Sequence, residues 1–169
     1  MRASILVTYA TNSSPTQEVA KAVAETFLGK GLATDLQAMT NVRTLVGYHA
    51  VVLGAPLVMG RWHKDARHFL SRHRTQLAER RVAIFALGPV QDVAKEWQAA
   101  QDQLHQELAQ FPWLRPMAVE IFGNKSEPIK PHFPLSLMTI TRQTPTSDIR
   151  DWMAIQAWAN QLAGRFQAT

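Results

Sequence analysis

The stretch ASILVTYATNSSPTQE, residues 3–18, passes from a strand to a helix through a turn crowded with hydroxyls. Ala3–Tyr9 is a short apolar run, dense enough for a strand buried on both faces. After it, Thr11, Asn12, Ser13, Ser14 and Thr16 supply four hydroxyls and one amide within six positions. The spacing predicts Ser14 as an N-cap, Pro15 as the first helical residue and Gln17 as the return partner of a capping box. Val19, Ala22, Val23, Thr26 and Phe27 then recur at the spacing of a core-facing helical stripe, and Gly29 and Gly31 close the helix.

A helix N-terminus presents unpaired N–H groups and the positive end of the helix dipole, which suits a phosphate. Capping alone needs one hydroxyl, so four favour an anion site over a simple cap. The loop holds no lysine or arginine, so neutral donors and the dipole would carry the anion. Other phosphate-binding turns are excluded by what is missing. The chain has no G-x-x-x-x-G-K-[ST] and no G-x-G-x-x-G, and no acidic cluster follows the first strand.

Beyond this unit, strand and helix periodicities keep alternating. Ala33–Met39 reads as a weaker, edge-like strand, and Ala50–Ala55 as a strong one. Ala66, Phe69, Leu70, His73 and Leu77 mark one helix, followed by a strand at Val82–Leu87. A long helix is expected from Asp92 to Phe111, burying Val93, Trp97, Leu104 and Leu108. A fifth strand, Met117–Phe122, ends at Gly123. The proline-rich stretch 123–146 is irregular, and a last helix starts near Ser147, burying Trp152, Ile155, Ala159, Leu162 and Phe166. The expected fold is a three-layer α/β domain over residues 1–169, a doubly wound parallel sheet of five strands in the order 2-1-3-4-5. Ligands of such sheets sit beyond the carboxyl ends of the strands, so the loops after Tyr9, Ala55 and Leu87 frame the expected site.

In the second of these loops, Pro56, Leu57, Val58 and Met59 offer apolar surface to a planar ligand, and Gly60 allows close backbone approach. Trp62 either stacks on such a ligand or plugs the start of the next helix. In the third, Leu87, Gly88 and Pro89 can present backbone groups to a polar edge. His63, His68 and His73 recur every five residues, which spreads them around a helix, so no metal site is expected. The absence of cysteine removes disulfides, thiolate metal sites and cysteine nucleophiles, and points to the cytoplasm. The net charge of +5 favours an anionic partner, or is simply scattered over a solvated surface. Basic residues interspersed with acids and no aromatic platform argue against nucleic acid.

The loop Tyr9–Glu18 resembles the FMN-phosphate loop of flavodoxins, which is hydroxyl-rich and followed by an acidic residue; Ser14 stands where glycine is common. That resemblance implies FMN as cofactor, with Thr11, Asn12, Ser13, Ser14 and Thr16 around its phosphate. Tyr48-x-x-Val51-Val52-Leu53-Gly54-Ala55-x-x-x-x-Gly60-x-x-His63, then Phe69 and His73, resembles a narrower group, the menaquinone-linked protoporphyrinogen oxidase-like flavodoxin-domain proteins. Ser147-Asp148-Ile149-Arg150-Asp151-Trp152 resembles the same group. This implies an oxidoreductase in which the flavin does the chemistry and a quinone or small organic substrate is the partner. In that group an insert at this place is implied to engage the substrate or a membrane quinone; here Pro134–Ile140, apolar and flanked by Lys125, Lys130, His132 and Arg142, is either a contact with the inner face of the membrane or a segment packed against the domain. The alternatives are an electron carrier between proteins and a binding module that has lost FMN.

Overall fold

A computed structural model describes residues 4–10, 13–126 and 147–168. Its centre is a parallel sheet of β1 (Ser4–Tyr9), β2 (Ala33–Ala38), β3 (Tyr48–Val58), β5 (Arg81–Leu87) and β6 (Ala118–Phe122). They lie in the order β2-β1-β3-β5-β6, and a two-residue strand β4 (Arg61–Trp62) pairs antiparallel with β3 alone. Discounting that short strand, this is the expected 2-1-3-4-5 order. The three central strands are buried on both faces, as their unbroken apolar runs require.

Helices α1 (Ser14–Gly29) and α5 (Trp152–Gln167) cover one face, where Val19, Val23 and Phe27 pack with Ile155, Leu162 and Phe166 over Ile5, Val7, Val52 and Phe85. On the other face, α2 (Lys64–Arg72), α3 (Arg74–Ala78) and α4 (Ala94–Ala109) bury Phe69, Leu70, Leu77 and Leu104 over Leu6, Val51, Leu53 and Ile84. Such crossovers return every strand in the same direction, so the loops after β1, β3 and β5 meet along one rim.

Several expected details differ. The helix expected through His73 is broken there into α2 and α3. His73 is only 5% exposed, its ring centroid lies 4.5 Å from that of Phe69, and its Nε2 has no hydrogen-bond partner. In α4, Val93 precedes the first turn and is exposed, and Trp97 is half-buried; Ala100, Leu104 and Glu107 form the buried stripe. The last helix begins at Trp152, not near Ser147, because Asp151 caps it by accepting a hydrogen bond from the Ala154 amide. Trp152 in its first turn is exposed, and Trp158 takes the buried place instead. Residues 127–146, which include the apolar segment Pro134–Ile140, lie outside the described residues.

His73 carries a pH dependence. Burial, and next the nearby Arg72, hold its pKa below the ordinary 6.5, so the folded protein keeps the imidazole neutral. Below pH 6.5 the unfolded chain takes up a proton that the folded chain refuses. Stability should therefore fall as the pH drops from neutral through 6.5 towards the folded value. Urea midpoints across that range should show the loss, and His73→Leu should flatten it.

Candidate functional site

The first loop lies at the switch between β1 and β3. Tyr9 pairs with Gly54, and the Ala10 amide donates to the Gly54 carbonyl at 2.9 Å. Beyond Ala10 the chain passes through Thr11 and Asn12, which lie outside the described residues, and enters α1. The N-cap is Ser13, one residue earlier than expected, and Ser14 is the first helical residue with Pro15 second. Because Pro15 has no N–H, this shift costs the helix nothing.

Ser13 does not cap. Its side chain makes no bond to a first-turn amide, and no capping box forms with Gln17. Ser13 Oγ instead lies 2.7 Å from Thr16 Oγ1. The ordinary role of an N-cap hydroxyl is thus left undone, and the amides of Ser14 and Thr16 stay uncapped by any described side chain. Thr16 is fully buried, Pro15 buried, Ser13 half-buried and Ser14 exposed, which makes Ser13 and Ser14 the side chains presented to an incoming group.

The second loop is shorter than the sequence reading made it. Pro56, Leu57 and Val58 belong to β3, which turns back at Met59-Gly60 into Arg61–Trp62. Leu57 pairs with Trp62 and Val58 with Arg61. Both turn residues have positive φ, 51° at Met59 and 80° at Gly60, as a two-residue hairpin turn demands. Glycine does this freely; methionine does it under strain.

Strand alternation then separates the apolar trio. Leu57 turns towards the core, Val58 is 47% exposed and Met59, at the tip, is 97% exposed. Trp62 is the plug and not the stacking ring: it is 1% exposed, and its indole N–H donates to the Ala55 carbonyl at 3.0 Å. Its burial fixes the root of the hairpin, while His63 Nδ1 accepts from the Asp65 amide and starts α2.

Glu107 of α4 was not singled out in the sequence. Its side chain is 6% exposed, yet it faces Arg61 at 3.6 Å and Arg67 at 3.9 Å. A buried carboxylate needs such company, and here it ties the hairpin and α2 to α4. Only the i, i+3, i+7 spacing of Ala100, Gln103 and Glu107 hinted at it, and a glutamate in that stripe reads as solvated.

In the third loop Leu87 is buried, while Gly88 and Pro89 are half-buried. The Gly88 amide is used by the Phe122 carbonyl, and the Pro89 carbonyl by the Asn124 amide. Ser147 Oγ donates to the Val90 carbonyl at 2.6 Å, which brings the chain after the insert to this loop. Pro56 and Leu87 are register partners, so the second and third loops leave the sheet side by side.

A second link crosses the fold. Arg150, whose side chain is 4% exposed, pairs with Asp148 and with Glu18, one turn into α1, and lies over the Trp152 ring at 4.7 Å. The Arg150 guanidinium holds the Asp148 carboxyl down at about 2. Glu18, the acid after the hydroxyl loop, thus serves as an anchor for the chain leading into α5. A separation of 132 residues hides this from the sequence.

A groove of about 580 Å³ lies elsewhere, between α1 and α5, and none of its lining residues comes from the three loops. Among the described residues no cluster of histidines and carboxylates could hold a metal ion, and no helix is long and apolar enough to cross a membrane.

A doubly wound parallel sheet with a hydroxyl-bearing helix N-terminus at its switch point is of the class that takes an anionic ligand beyond the carboxyl ends of its strands. The flavodoxin domain model matches residues 6–125, and the chain belongs to that family. No curated protein matches it in sequence. Among solved structures it resembles oxidised flavodoxin 1 from Bacillus cereus, with 15% identity, TM-score 0.60, and 98% of this chain and 97% of that one covered. A point mutant of flavodoxin from Pseudomonas aeruginosa gives 12% identity and TM-score 0.63, covering 98% of this chain and 99% of that one. Rubredoxin oxygen:oxidoreductase from Desulfovibrio gigas gives 13% and 0.59, covering 98% of this chain but 36% of that one.

FMN is the cofactor that family membership brings, and the residues present fit it. The fit rests on the α1 N-terminus, where Ser13 and Thr16 hydroxyls pair with each other and leave the first-turn amides to an anion.

Proposed function

We propose that the protein is an FMN-dependent oxidoreductase that passes electrons from a reduced organic substrate to a quinone. Bound FMN would supply the redox chemistry. Ser13, Ser14 and Thr16, together with Thr11 and Asn12, would hold the phosphate through neutral donors. The hairpin Leu57–Trp62 and the Leu87–Pro89 turn would border the ring, with Trp62 bracing the hairpin from beneath.

One observation carries the substrate class. The second and third loops and the start of α4 expose four apolar side chains, Val58, Met59, Val90 and Val93, at 47%, 97%, 37% and 45%. Apolar surface at a ligand rim suits an apolar partner such as a quinone. Protoporphyrinogen as the reductant rests on the resemblance at Tyr48–His73 and Ser147–Trp152. A cytoplasmic setting, with membrane contact limited to the surface, belongs to the same reading.

The test is anaerobic. FMN-loaded protein should bleach near 450 nm on adding protoporphyrinogen and regain colour on adding menadione, a soluble quinone. Bleaching by dithionite but not by protoporphyrinogen would remove the porphyrin assignment. Failure of menadione to restore the colour would remove the quinone.

A second reading, an electron carrier between proteins, is favoured by where the charge lies. Residues 61–74 hold five basic residues (Arg61, Lys64, Arg67, Arg72, Arg74) against one acid (Asp65), which accounts for four of the chain's net five positive charges. The charge is not scattered. It begins at the same rim, with Arg61 and Lys64, and runs along α2 away from it.

A further inference from the structure

α2 leaves the hairpin at the rim and turns Ala66, Phe69 and Leu70 to the core. That packing fixes its opposite face, which carries Lys64, His68, Ser71 and Arg72, all exposed. Among the described residues Lys64 and Arg72 have no ion-pair partner. Arg74, exposed at the start of α3, has its guanidinium 5.7 Å from the Trp113 ring centroid. Arg61 and Arg67 face Glu107 and are partly neutralised. At the rim end of this basic strip stands Met59, 97% exposed on a strained turn.

A fully exposed methionine held at φ 51° gains nothing for the free protein. Beside a strip of cations it has the make-up of a small docking patch, an apolar point with a charged border. Two kinds of anionic surface could meet it. Lipid recognition commonly uses clusters of about four to eight lysines and arginines. Here only Lys64, Arg72 and Arg74 are not drawn to Glu107, fewer than such a cluster. A transient redox complex is small, often under about 1,200 Å², and is steered by charge. The strip suits that.

We infer that the outer face of α2, with Met59 at its rim end, is the docking surface for an acidic electron-transfer protein. This rests on the carrier reading, since an enzyme serving only small molecules needs no such surface. The acidic protein would approach along the basic strip and come to rest with Met59 in contact, beside the loops that border the cofactor. Lys64 and Arg72 would steer, and Met59 would add the apolar contact.

The test uses an acidic plant-type ferredoxin as the probe and basic cytochrome c as the like-charged control. Binding to the whole chain is read by NMR line broadening or biolayer interferometry, neither of which needs a flavin. The expected result is ferredoxin binding that weakens at least tenfold as salt rises to about 0.15 M, where the Debye length is about 8 Å. The double variant Lys64→Glu/Arg72→Glu should weaken it at least tenfold at low salt, and Met59→Ser several-fold. Thermal melts should be unchanged.

Quenching of added FMN, measured on the same samples, reports the flavin reading separately. Ferredoxin binding without FMN quenching would keep the surface and remove the carrier. Quenching without ferredoxin binding would overturn the docking surface alone. Equal binding of cytochrome c, or a double variant that binds as well as the natural chain, would also overturn it. So would sedimentation with phosphatidylglycerol vesicles in the absence of ferredoxin binding, which would assign the strip to lipid.

Discussion

Replacing Ser14 by aspartate should weaken FMN binding by about a hundredfold or more, equivalent to about 2.8 kcal/mol at 1.4 kcal/mol per tenfold. Ser14 is the first residue of α1, exposed, and beside amides that no described side chain caps. A carboxylate there would stand within a few ångströms of the phosphate. At about 4 Å and an effective dielectric near 20, each pair of unit charges repels by about 4 kcal/mol, enough to cancel the neutral donors. The same carboxylate favours the bare helix by about 0.3–1 kcal/mol through the dipole. The variant should therefore melt at the same temperature or higher while losing FMN. Those two effects move in opposite directions, so a folding defect could not be mistaken for the loss of a phosphate site. Ser14→Ala, which leaves the amides in place, should cost less than tenfold.

Gly54→Ala should cost about 3 kcal/mol of stability, lowering the melting temperature by about 10 °C for a chain of this size. Gly54 pairs with Tyr9 on one side and Phe85 on the other, at the middle of the sheet. The Phe85 ring lies directly over it, and a Cβ would sit 1.9 Å from Phe85 Cζ. The ring cannot retreat, since it packs edge-on to Trp158 at 6.1 Å and tilted against Phe122 at 6.1 Å. A well-packed interior relieves such an overlap only by moving backbone or leaving rotamer wells. Removing ring atoms supplies the room, so Gly54→Ala/Phe85→Leu should recover a substantial part of the loss. Denaturant midpoints for the three variants measure this directly.

These two positions show how differently the fold and the site could be read from the chain. The buried strands announced themselves because a strand covered on both faces must be apolar throughout, as in Ile5–Val7, Val51–Leu53 and Val82–Leu87. Their order followed from handedness and chain length. The hydroxyl turn was readable because helix ends have a fixed chemistry. Its exact register was not, since Ser13 and Ser14 carry the same side chain and either suits the N-cap position.

The hairpin escaped notice for a physical reason. Met59 occupies a left-handed turn position that sequence patterns reserve for glycine, asparagine or aspartate, so Gly60 alone did not announce a two-residue turn. Trp62 was left open between stacking and plugging, and its buried bond to Ala55 settles it as the plug. Long-range polar pairs were out of reach. Nothing local tells that Glu107 faces Arg61 and Arg67, or that Arg150 reaches Glu18. The gathering of charge in residues 61–74, by contrast, was available in the sequence, and needed only a count by segment instead of by chain.

One titration tests the flavin site most directly, that of FMN fluorescence against the purified protein freed of any flavin. Stoichiometric quenching at one FMN per chain, abolished by Ser14→Asp and unaffected by Lys64→Glu/Arg72→Glu, is the predicted result. Unquenched fluorescence with the natural chain, folded by circular dichroism, would contradict it and leave a flavodoxin fold whose uncapped helix serves something other than a flavin phosphate.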